Sequence, residues 1–300
     1  MAVLQYIFKM KQIEYKRKEG WKPVCVLSIA GSDSGGGAGL QADLKTVSAL
    51  GGFSATAVSA VTVQNTQGVK AVSPVPVETV CAQVEAVCED LHPDAIKISM
   101  LPDAALAAPL AEILKKHACR HIVIDPVMVA TSGHTLVEVP GVRSLVKHLF
   151  PLAEIVTPNL EEARVLAGTE IDNDAACLSA AKKILQSGVK AVLIKGGHAQ
   201  GEAMKDLLLT QHALDKPLWF RSPRIHTANL HGTGCTLSAA LAFFLASEYK
   251  LEEAVSAAKN YIDHAIEAAK DMRLGEGSGP VNHFFAPVAC TPPLPKKHAL

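Results

Sequence analysis

The segment 231–240, HGTGCTLSAA, combines small residues with a histidine and a cysteine in a pattern that favours an anion site. It leads into the apolar run 237–245, which predicts a buried helix. The first turn of such a helix has backbone N–H groups without intrahelical partners and carries the positive end of the helix dipole. Gly232 and Gly234 allow an anion to approach these donors closely. The segment therefore predicts a site for phosphoryl transfer.

Cys235 lies in the first turn of this predicted helix. A thiol there is expected to have its ionised form stabilised, so that the thiolate can accept the proton of an attacking hydroxyl group. The alternative is a free cysteine that serves as a small buried apolar residue. Because the transition state of phosphoryl transfer is largely dissociative, positioning and charge neutralisation should matter at least as much as the sulfur.

The glycine-rich segment 30–39, AGSDSGGGAG, predicts a backbone that passes close to a flat or small ligand. Gly31 and Gly36 have the separation of a P-loop, but glycine and alanine stand where that motif needs lysine and serine or threonine. The dinucleotide-binding fingerprint is incomplete as well. A tight strand-to-helix connection is the alternative. Asp43, one turn into the following helix, either faces the same cleft or is a solvated acid.

The segment 157–163, TPNLEEA, has Asn159 at the end of a predicted strand and Glu162 three residues later. This spacing is typical of a capping box, in which the asparagine caps a helix and the carboxylate pairs back to it. The alternative is that Glu162 organises a hydrated Mg²⁺ ion beside phosphate. Asp125, which ends its own strand, supplies a second carboxylate in that hypothesis or is a turn residue.

Two further polar residues follow predicted strands. Lys195 precedes two glycines and can reach a phosphate as a point charge, or it is a surface lysine whose ammonium group reaches water. Gln64 has a donor and an acceptor that suit the edge of a heteroaromatic ring, or it bonds to local backbone. The sequence provides no partners for three histidines, which are expected to be structural: His198, His226 and His231.

Short β-branched runs alternate with longer Ala/Leu-rich runs, a pattern that predicts a mostly parallel sheet with helices on both faces. The predicted strands span residues 24–29, 55–63, 95–98, 121–124, 155–157, 191–194 and 207–210. The predicted helices span residues 39–50, 77–91, 104–117, 142–149, 160–166, 174–186, 233–247 and 251–271. Ligands bind at the carboxyl ends of the strands in such sheets. Most of the conspicuous polar and glycine residues follow a predicted strand, so we expect one cleft along that edge.

The 300 residues are 49% apolar and carry no formal net charge, which indicates a globular chain without a nucleic-acid footprint. We predict a polar extension at 1–22, a single domain at 23–286 and a disordered tail at 287–300.

The seven cysteines contain no CxxC pair and fit reduced thiols. No apolar run is long enough to span a bilayer, and the charges near the start follow the apolar residues, unlike a secretory signal. A cytoplasmic protein without nucleic-acid or membrane partners is expected.

Taken together, these motifs resemble the ribokinase-like superfamily and, within it, the hydroxymethylpyrimidine/phosphomethylpyrimidine kinases of thiamine biosynthesis. The segments that carry the resemblance are, in order, AGSDSGGGAGLQADLKT (30–46), VQNT (63–66), DPVM (125–128), SG (132–133), TPNLEEA (157–163), IKGGH (194–198), HGTGCTLSAA (231–240) and GPVNHF (279–284). Most ribokinase-like sugar kinases carry aspartate where this chain has Cys235, and the cysteine form is similar to pyrimidine and some pyridoxine kinases. The resemblance implies an α/β fold, a three-layer α/β/α sandwich with a mostly parallel central sheet.

The resemblance also implies an activity, namely ATP- and Mg²⁺-dependent phosphorylation of 4-amino-5-hydroxymethyl-2-methylpyrimidine and then of its monophosphate. It implies a stand-alone kinase that acts on small molecules as a homodimer. Carried onto matching positions, it assigns catalysis to Cys235, Gly232, Gly234 and Lys195, and the pyrimidine to Gln64, Gly31, Asp43 and Met100. It assigns the nucleotide to Asn159, Lys195 and Thr233, and the metal to Asp125 and Glu162.

Two positions depart from the family pattern. Ser99 stands where the family usually has glycine before Met-Leu, which narrows the pocket, and Leu230 replaces a polar residue before the HGTGC motif. The alternative enzyme is a pyridoxine or pyridoxal kinase, which shares the fold and the cysteine. An alternative of another class is a catalytically silent protein that senses the pyrimidine. Such a sensor has no need of phosphate-binding residues such as Lys195.

Overall fold

The computed structural model describes residues 20–129, 133, 136–196 and 203–291. Its strands are β1 (Cys25–Asp33), β2 (Phe53–Asn65), β3 (Gly68–Pro74), β4 (Ala95–Ile98), β5 (Ile122–Ile124), β6 (Ile155–Val156), β7 (Ala191–Ile194), β8 (Ala203–Thr210) and β9 (Leu218–Pro223). They form one sheet in the order β3-β2-β1-β4-β5-β6-β7-β8-β9. The pairs from β2 to β7 are parallel, and β3, β8 and β9 add antiparallel pairs at the two edges.

Helices pack on both faces of this sheet. They are α1 (Gly39–Ala49), α2 (Val77–Leu91), α3 (Ala107–Lys116), α4 (Val139–His148), α5 (Leu160–Ala167), α6 (Asp174–Leu185), α7 (Thr233–Ala246) and α8 (Leu251–Glu267), with a 3-10 turn at Phe150–Leu152. One face is covered by α1, α7 and α8, and the other by α2 to α6. The predicted three-layer α/β/α sandwich with a mostly parallel sheet is confirmed.

The two faces of the central strands bury different apolar residues, as the alternation of side chains along a strand requires. In β1, Val26 packs on the α7 side and Leu27 on the opposite side, and both are fully buried. Helix α7 is apolar on all its sides, and Leu241 within it is fully buried. Burying a leucine side chain of this kind contributes about 1.5–3 kcal/mol. The prediction of a buried helix after the segment 231–236 is therefore confirmed.

The strand register brings polar side chains to the α7 face at the carboxyl ends of the strands. Lys97 in β4 pairs with Val123 in β5, so Asp125, two residues further on, lies on the same face as Lys97. Val123 in turn pairs with Ile155, which brings Thr157 beside Asp125. Apolar residues therefore fill the middle of this face, and charged residues occupy its carboxyl edge.

The edge strands β3 and β9 are not predicted from the sequence. Both are largely exposed and end in proline, which cannot donate to a sheet. They therefore lack the apolar alternation that identifies a strand. In contrast, β1 is longer than predicted, because its pairing with β2 continues past a register shift at Ala30 and reaches Asp33.

Helix ends differ from the predicted bounds by a few residues. The Asp103 carboxylate accepts the N–H of Ala105 at 2.8 Å in a turn, and α3 begins after this turn, at Ala107 rather than at position 104. Pro140 lies in the first turn of α4, a position that proline favours, and this helix begins three residues earlier than predicted.

The ends of the predicted domain make contacts within the described chain. Lys22 donates to the carbonyl oxygen of His92 at 2.6 Å, and the N–H of Val288 donates to Ala49 O at 2.7 Å. Val288, just after position 286, thus contacts α1. Residues 1–19 and 292–300 lie outside the described residues, so the domain bounds at 1–22, 23–286 and 287–300 stay predictions. Among the described helices, none has the length and apolar character needed to cross a membrane.

His283 connects the C-terminal segment to α7. Its Nε2 lies 3.0 Å from the hydroxyl of Thr236, and its carbonyl oxygen accepts the Tyr261 hydroxyl at 2.7 Å. The residue is 3% exposed. Burial, with a smaller contribution from Lys45, lowers the pKa of the imidazole to about 4. The folded protein therefore holds this histidine in its neutral form at neutral pH.

We predict that His283 makes the folded protein less stable in acid. In the unfolded chain the imidazole titrates near a pKa of about 6.5, so the unfolded state binds a proton where the folded state does not. The stabilisation is complete when the pH lies above the unfolded pKa of about 6.5. It is lost as the pH falls towards the folded pKa of about 4. The loss amounts to about 3 kcal/mol, and denaturant unfolding across this pH interval measures it.

The variant His283→Gln removes the titration but keeps a hydrogen-bonding side chain beside Thr236. Its free energy of unfolding should fall less steeply in acid than that of the wild type. His212→Gln, at an exposed position, is the matched control and should leave the acid slope unchanged. Parallel curves for the wild type and His283→Gln would contradict the prediction.

Candidate active site

A buried ion pair lies at the carboxyl edge of the sheet. Lys195 Nζ donates to Asp125 Oδ1 at 2.7 Å, and the two side chains are 15% and 1% exposed. The Thr157 hydroxyl donates to the same oxygen at 3.1 Å, and the Ser238 hydroxyl lies 3.5 Å from Oδ2. Burial opposes the ionisation of Asp125, but Lys195 and Lys97 outweigh burial and lower its pKa below the ordinary value. This carboxylate is therefore ionised at neutral pH.

The capping box predicted at Asn159 and Glu162 is present beside this ion pair. The Asn159 side chain accepts the N–H of Glu162, and the Glu162 carboxylate accepts the N–H of Asn159, both at 2.8 Å. The backbone of Asn159 pairs with Lys195. Glu162 is 5% exposed, and burial raises its pKa to about 7; Lys195 acts against this effect and Asp125 adds to it.

The first turn of α7 lies directly against Lys195 and Asp125. A Cβ on Gly234 would lie 3.3 Å from Lys195 Nζ and 3.4 Å from Asp125 Oδ2. Gly232 caps the helix with φ +85°, a conformation that favours glycine. The N–H of Thr236 donates to Gly232 O at 2.9 Å. The N–H groups of the residues before it lie in the first turn, where they have no intrahelical acceptor. The predicted anion site and the predicted lysine are therefore in contact.

The two glycine-rich loops pack against each other with almost no space between them. A Cβ on Gly232 would lie 1.8 Å from Gly37 O, and a Cβ on Gly37 would lie 2.4 Å from His231 Cδ2. A Cβ on Gly39 would lie 2.3 Å from Gly31 O. Since the neighbour at Gly232 and Gly39 is backbone, no larger residue fits there without a backbone shift. The close approach predicted for the first loop is thus made with protein backbone as well.

Cys235 lies at the junction of these loops, where it is partly exposed and accepts the N–H of Gly39. Burial is the main cause that raises the pKa of its thiol to about 11; Lys97 acts against burial, and the charges of Asp43 and Asp125 add to it. The expectation of a stabilised thiolate is therefore wrong. Lys97 and the Gly39 N–H do not offset burial next to two carboxylates, and the sulfur is a neutral thiol at neutral pH.

Lys97, which no sequence motif singles out, forms a second buried ion pair. Its Nζ donates to Asp43 Oδ2 at 2.9 Å, and both side chains are fully buried. Burial raises the pKa of Asp43 to about 6, with Lys97 acting against the rise. For Lys97, burial is outweighed by Asp43 and the pKa is raised. Asp43 is thus the buried partner of Lys97 and not a solvated acid. The sequence feature that could have identified Lys97 is a lysine between two isoleucines in a short strand.

Two of the predicted substrate residues, Gly31 and Met100, are in contact. A Cβ on Gly31 would lie 3.2 Å from Met100 Sδ. Met100 is 6% exposed and packs with Met128 and Val137 in a small apolar cluster. A methionine that faces a glycine forms an adaptable apolar surface of the kind that suits a flat ring.

His231, expected to be structural, joins Asp33 to Gln64. Its Nε2 lies 3.0 Å from Asp33 Oδ2 and 3.1 Å from the side-chain amide of Gln64. Burial opposes the ionisation of Asp33, but His231 and backbone donors of the glycine-rich loop lower its pKa. The Gln64 NH₂ group faces His231, and the Gln64 carbonyl oxygen accepts the Thr62 hydroxyl at 3.2 Å. The amide of Gln64 is thereby held in one orientation.

The remaining positions singled out from the sequence have varied surroundings. Ser99 is 3% exposed and donates its N–H to Ile29 O at 3.0 Å, whereas Leu230 is 39% exposed. His226 lies after β9 in the wall of a cavity of about 670 Å³. His198 and the glycine before it lie outside the described residues.

Asp125 and Glu162 offer the carboxylate oxygens that Mg²⁺ prefers. Each already accepts hydrogen bonds, Asp125 from Lys195 and Glu162 from the Asn159 N–H. Because Mg²⁺ keeps several of its water molecules, two such carboxylates fit a hydrated ion that they contact through its waters. The donor set therefore suits magnesium beside phosphate.

A mostly parallel sheet between helical layers, with an anion-binding helix start and a buried lysine at its carboxyl edge, defines a small-molecule kinase of the ribokinase-like class. Solved structures of such kinases are similar to this chain. The phosphomethylpyrimidine kinase of Clostridium difficile 630 superposes with a TM-score of 0.71 at 41% identity, over 81% of this chain and 99% of that one. The ADP complex of Bacillus subtilis pyridoxal kinase gives a TM-score of 0.80 at 34% identity, over 87% and 98%.

The chain belongs to the phosphomethylpyrimidine kinase family, whose model matches residues 33–282. It is 50% identical over 259 residues to the hydroxymethylpyrimidine/phosphomethylpyrimidine kinase of Rhizobium meliloti, which covers 86% of this chain and 96% of the relative. The family predicted from the sequence motifs is therefore confirmed.

We predict that Lys97→Met destabilises the fold strongly, because it leaves the Asp43 carboxylate buried without a partner. Breaking a buried pair in this way costs about 3–5 kcal/mol in the free energy of unfolding. The double variant Lys97→Met/Asp43→Asn removes both charges and should recover much of the loss. Denaturant unfolding of the three proteins measures the effect.

Lys22→Met provides the matched control, since Lys22 pairs with Asp94 at 3.3 Å while the two side chains are 48% and 38% exposed. Removing a surface pair should cost less than about 1 kcal/mol. Equal losses for Lys22→Met and Lys97→Met would show that burial of the Lys97–Asp43 pair has no energetic consequence.

Proposed function

We propose that this protein transfers the γ-phosphoryl group of ATP to the hydroxymethyl group of 4-amino-5-hydroxymethyl-2-methylpyrimidine. It then phosphorylates the monophosphate to the diphosphate used in thiamine biosynthesis. Relatives that match over nearly their full length are named for both steps. The observation that supports the proposal most is the contact of the first turn of α7 with Lys195 and Asp125.

Positive groups converge where the transferred phosphoryl group would lie. Lys195 brings an ammonium group to Gly234, whose amide belongs to the positive end of the α7 dipole. Charge in a dissociative transition state is spread over the phosphoryl oxygens, so these groups act mainly by neutralising it. Asn159, paired through its backbone to Lys195, and Thr233, the first residue of α7, are assigned to the nucleotide.

The pyrimidine is assigned to Gln64, Gly31, Met100 and Asp43. His231 fixes the orientation of the Gln64 amide, which then offers a defined donor and acceptor to the edge of an aminopyrimidine. The apolar surface of Gly31 and Met100 suits the face of the ring. Gly31 also contacts Gly39, whose N–H bonds to the Cys235 sulfur, so this pocket adjoins the anion site.

Cys235 is assigned to the hydroxymethyl group. Since its thiol already carries a proton at neutral pH, it does not remove the substrate hydroxyl proton before transfer. A dissociative transition state demands little nucleophile activation, so the attacking hydroxyl can keep its proton until late in the reaction. The sulfur therefore contributes mainly by holding the hydroxymethyl oxygen in line with the first turn of α7.

Asp125 and Glu162 are assigned to Mg²⁺, which they would hold through its water molecules. When bound, the ion supplies positive charge to the phosphate oxygens. Burial and the neighbouring Asp125 make the charge of Glu162 unfavourable on its own, as its pKa of about 7 indicates. A nearby cation relieves this cost.

A pyridoxal kinase is the second candidate. The observation in its favour is the TM-score of 0.80 with the Bacillus subtilis pyridoxal kinase. The identity to that protein is 34%, however, against 50% for the Rhizobium meliloti pyrimidine kinase. We therefore assign the pyrimidine as the preferred substrate.

We also propose that the enzyme is a cytoplasmic homodimer. Val61 and Val63 are 49% and 54% exposed on one face of β2, an apolar strip that a second copy of the chain would cover. All seven cysteines are free, which fits a reducing compartment. Light scattering of the purified protein measures the oligomeric state.

A coupled ATP assay with mass detection of the products tests the substrate. We expect the hydroxymethylpyrimidine to be converted to its mono- and then its diphosphate, with kcat/KM at least about tenfold above that for pyridoxal. Competition between the two alcohols in one reaction gives the ratio directly. A higher kcat/KM for pyridoxal would replace the first candidate by the second.

The variant Cys235→Ala should lower kcat by about 10²-fold or more, because the hydroxymethyl oxygen loses the group that holds it in line for transfer. Pyrimidine binding, measured by calorimetry, should be largely retained. Unchanged turnover would remove the sulfur from the mechanism. If the wild type binds the pyrimidine but never turns over ATP, the protein is a sensor.

Glu162→Gln tests the metal assignment, because glutamine also completes a capping box and so preserves the helix start. We expect the Mg²⁺ concentration for half-maximal activity to rise about tenfold or more, as for other groups that hold a metal through its ligands. Glu161→Gln, whose side chain is 70% exposed, is the matched control. An equal Mg²⁺ requirement in both variants would refute the assignment.

A further inference from the structure

Cys88 and Cys119 lie together at the edge of the sheet opposite to the candidate active site. Cys88 is in the last turn of α2, before β4, and Cys119 is in the turn between α3 and β5. Both connections lead to the amino ends of parallel strands, whereas Asp125 and Lys195 follow carboxyl ends. The proposed kinase reaction uses neither thiol.

The two sulfur atoms are in contact, with 3.8 Å between Cys88 Sγ and Cys119 Sγ. The chain folds back after α3, because Ala118 has φ +50° and the N–H of Cys119 bonds to Leu114 O at 2.9 Å. A disulfide has a sulfur–sulfur distance of about 2.05 Å, so the atoms must approach by about 1.8 Å.

The two thiols differ in exposure and in acidity. Cys88 is 1% exposed, whereas Cys119 is partly exposed. The hydrogen bond from Cys88 lowers the pKa of Cys119 in spite of burial, and His117 adds to the effect. The same hydrogen bond and burial raise the pKa of Cys88. Cys119 is therefore the attacking thiol and Cys88 the resolving one.

A cavity of about 200 Å³ opens onto both cysteines. Its wall contains His92, His117 and Arg120, together with one acidic residue, Asp94. Asp94 is already paired with Lys22 at 3.3 Å and accepts the backbone N–H of Cys25 at 2.8 Å. Arg120 offers a positive charge to a small anionic reagent, whereas His117 is paired with Glu85 at 3.0 Å.

We propose that Cys88 and Cys119 form a redox-active dithiol that a low-molecular-weight anionic disulfide, such as oxidised glutathione, converts into an intramolecular disulfide. The Cys119 thiol loses its proton and attacks one sulfur of the reagent, whose S–S bond breaks and whose second half leaves as a thiol. The Cys88 thiol then loses its proton and attacks the Cys119 sulfur, which releases the other half. Two protein thiols are oxidised, and one reagent disulfide is reduced to two thiols.

The bond would link α2 to the turn after α3 across 31 positions of the chain. Such a link stabilises a fold mainly because it restricts the unfolded chain. The active-site residues lie at the opposite ends of the strands, so kinase activity should be retained. Dithiols of this kind in reducing compartments are usually transient and respond to oxidants.

Incubation of the full-length protein with oxidised glutathione, followed by peptide mass mapping without reductant, tests the proposal. We expect a peptide that links Cys88 to Cys119, a higher thermal unfolding midpoint than in the reduced protein, and kcat within about twofold of the reduced enzyme. Reduction should reverse the first two changes. If both cysteines stay free in the folded protein, or pair with other cysteines, the proposal fails.

Variants of single cysteines assign the two roles. Cys119→Ser should abolish the link and leave Cys88 unmodified, whereas Cys88→Ser should accumulate a glutathione adduct on Cys119. Cys81→Ser, at a partly buried position in the same helix, is the matched control and should form the link as the wild type does. An adduct on Cys88 in Cys119→Ser would reverse the assigned roles and overturn that part of the proposal.

Discussion

Two lysines and three carboxylates share one buried region under the first turn of α7. Lys195 pairs with Asp125, Lys97 pairs with Asp43, and Glu162 adds a third negative charge beside them. The positive end of the α7 dipole faces this group, but a partial charge does not balance a full one. Burial raises the pKa values of Glu162 and Cys235, and neighbouring carboxylates add to this effect while Lys195 and Lys97 act against it. A cation bound beside these carboxylates would restore the balance.

The layout of the central sheet follows from apolar runs that are visible in the sequence. Buried strands such as β5 and β7 are short apolar runs, and α7 is apolar on every side, so packing determines where they lie. The edges are different. β3 and β9 each pair with one neighbouring strand and at least half of the residues of each are exposed, so their sequences carry no clear apolar period.

Site positions were predictable where the chemistry lies in local sequence. Asn159 and Glu162 are three residues apart, and their capping box follows from that spacing. Contacts between residues that are far apart in the sequence were not predictable. The expectation of a thiolate at Cys235 uses only its local helix position, whereas its pKa is raised mainly by burial and further by carboxylates from α1 and from the residue after β5. For the same reason no motif singles out Lys97 and the sequence provides no partner for His231, since Asp43 and Asp33 lie 54 and 198 positions away from them.

The contact between the glycine-rich loops makes the pocket and the anion site one unit. Gly232 and Gly37 approach so closely that a single added carbon would separate the two loops. His231 fills the space between them and reaches both Asp33 and Gln64. A displacement of the helix start therefore moves the residue assigned to the pyrimidine edge. Since transfer between two bound molecules depends on their relative position, rigid coupling of the loops favours one alignment of hydroxyl and phosphate.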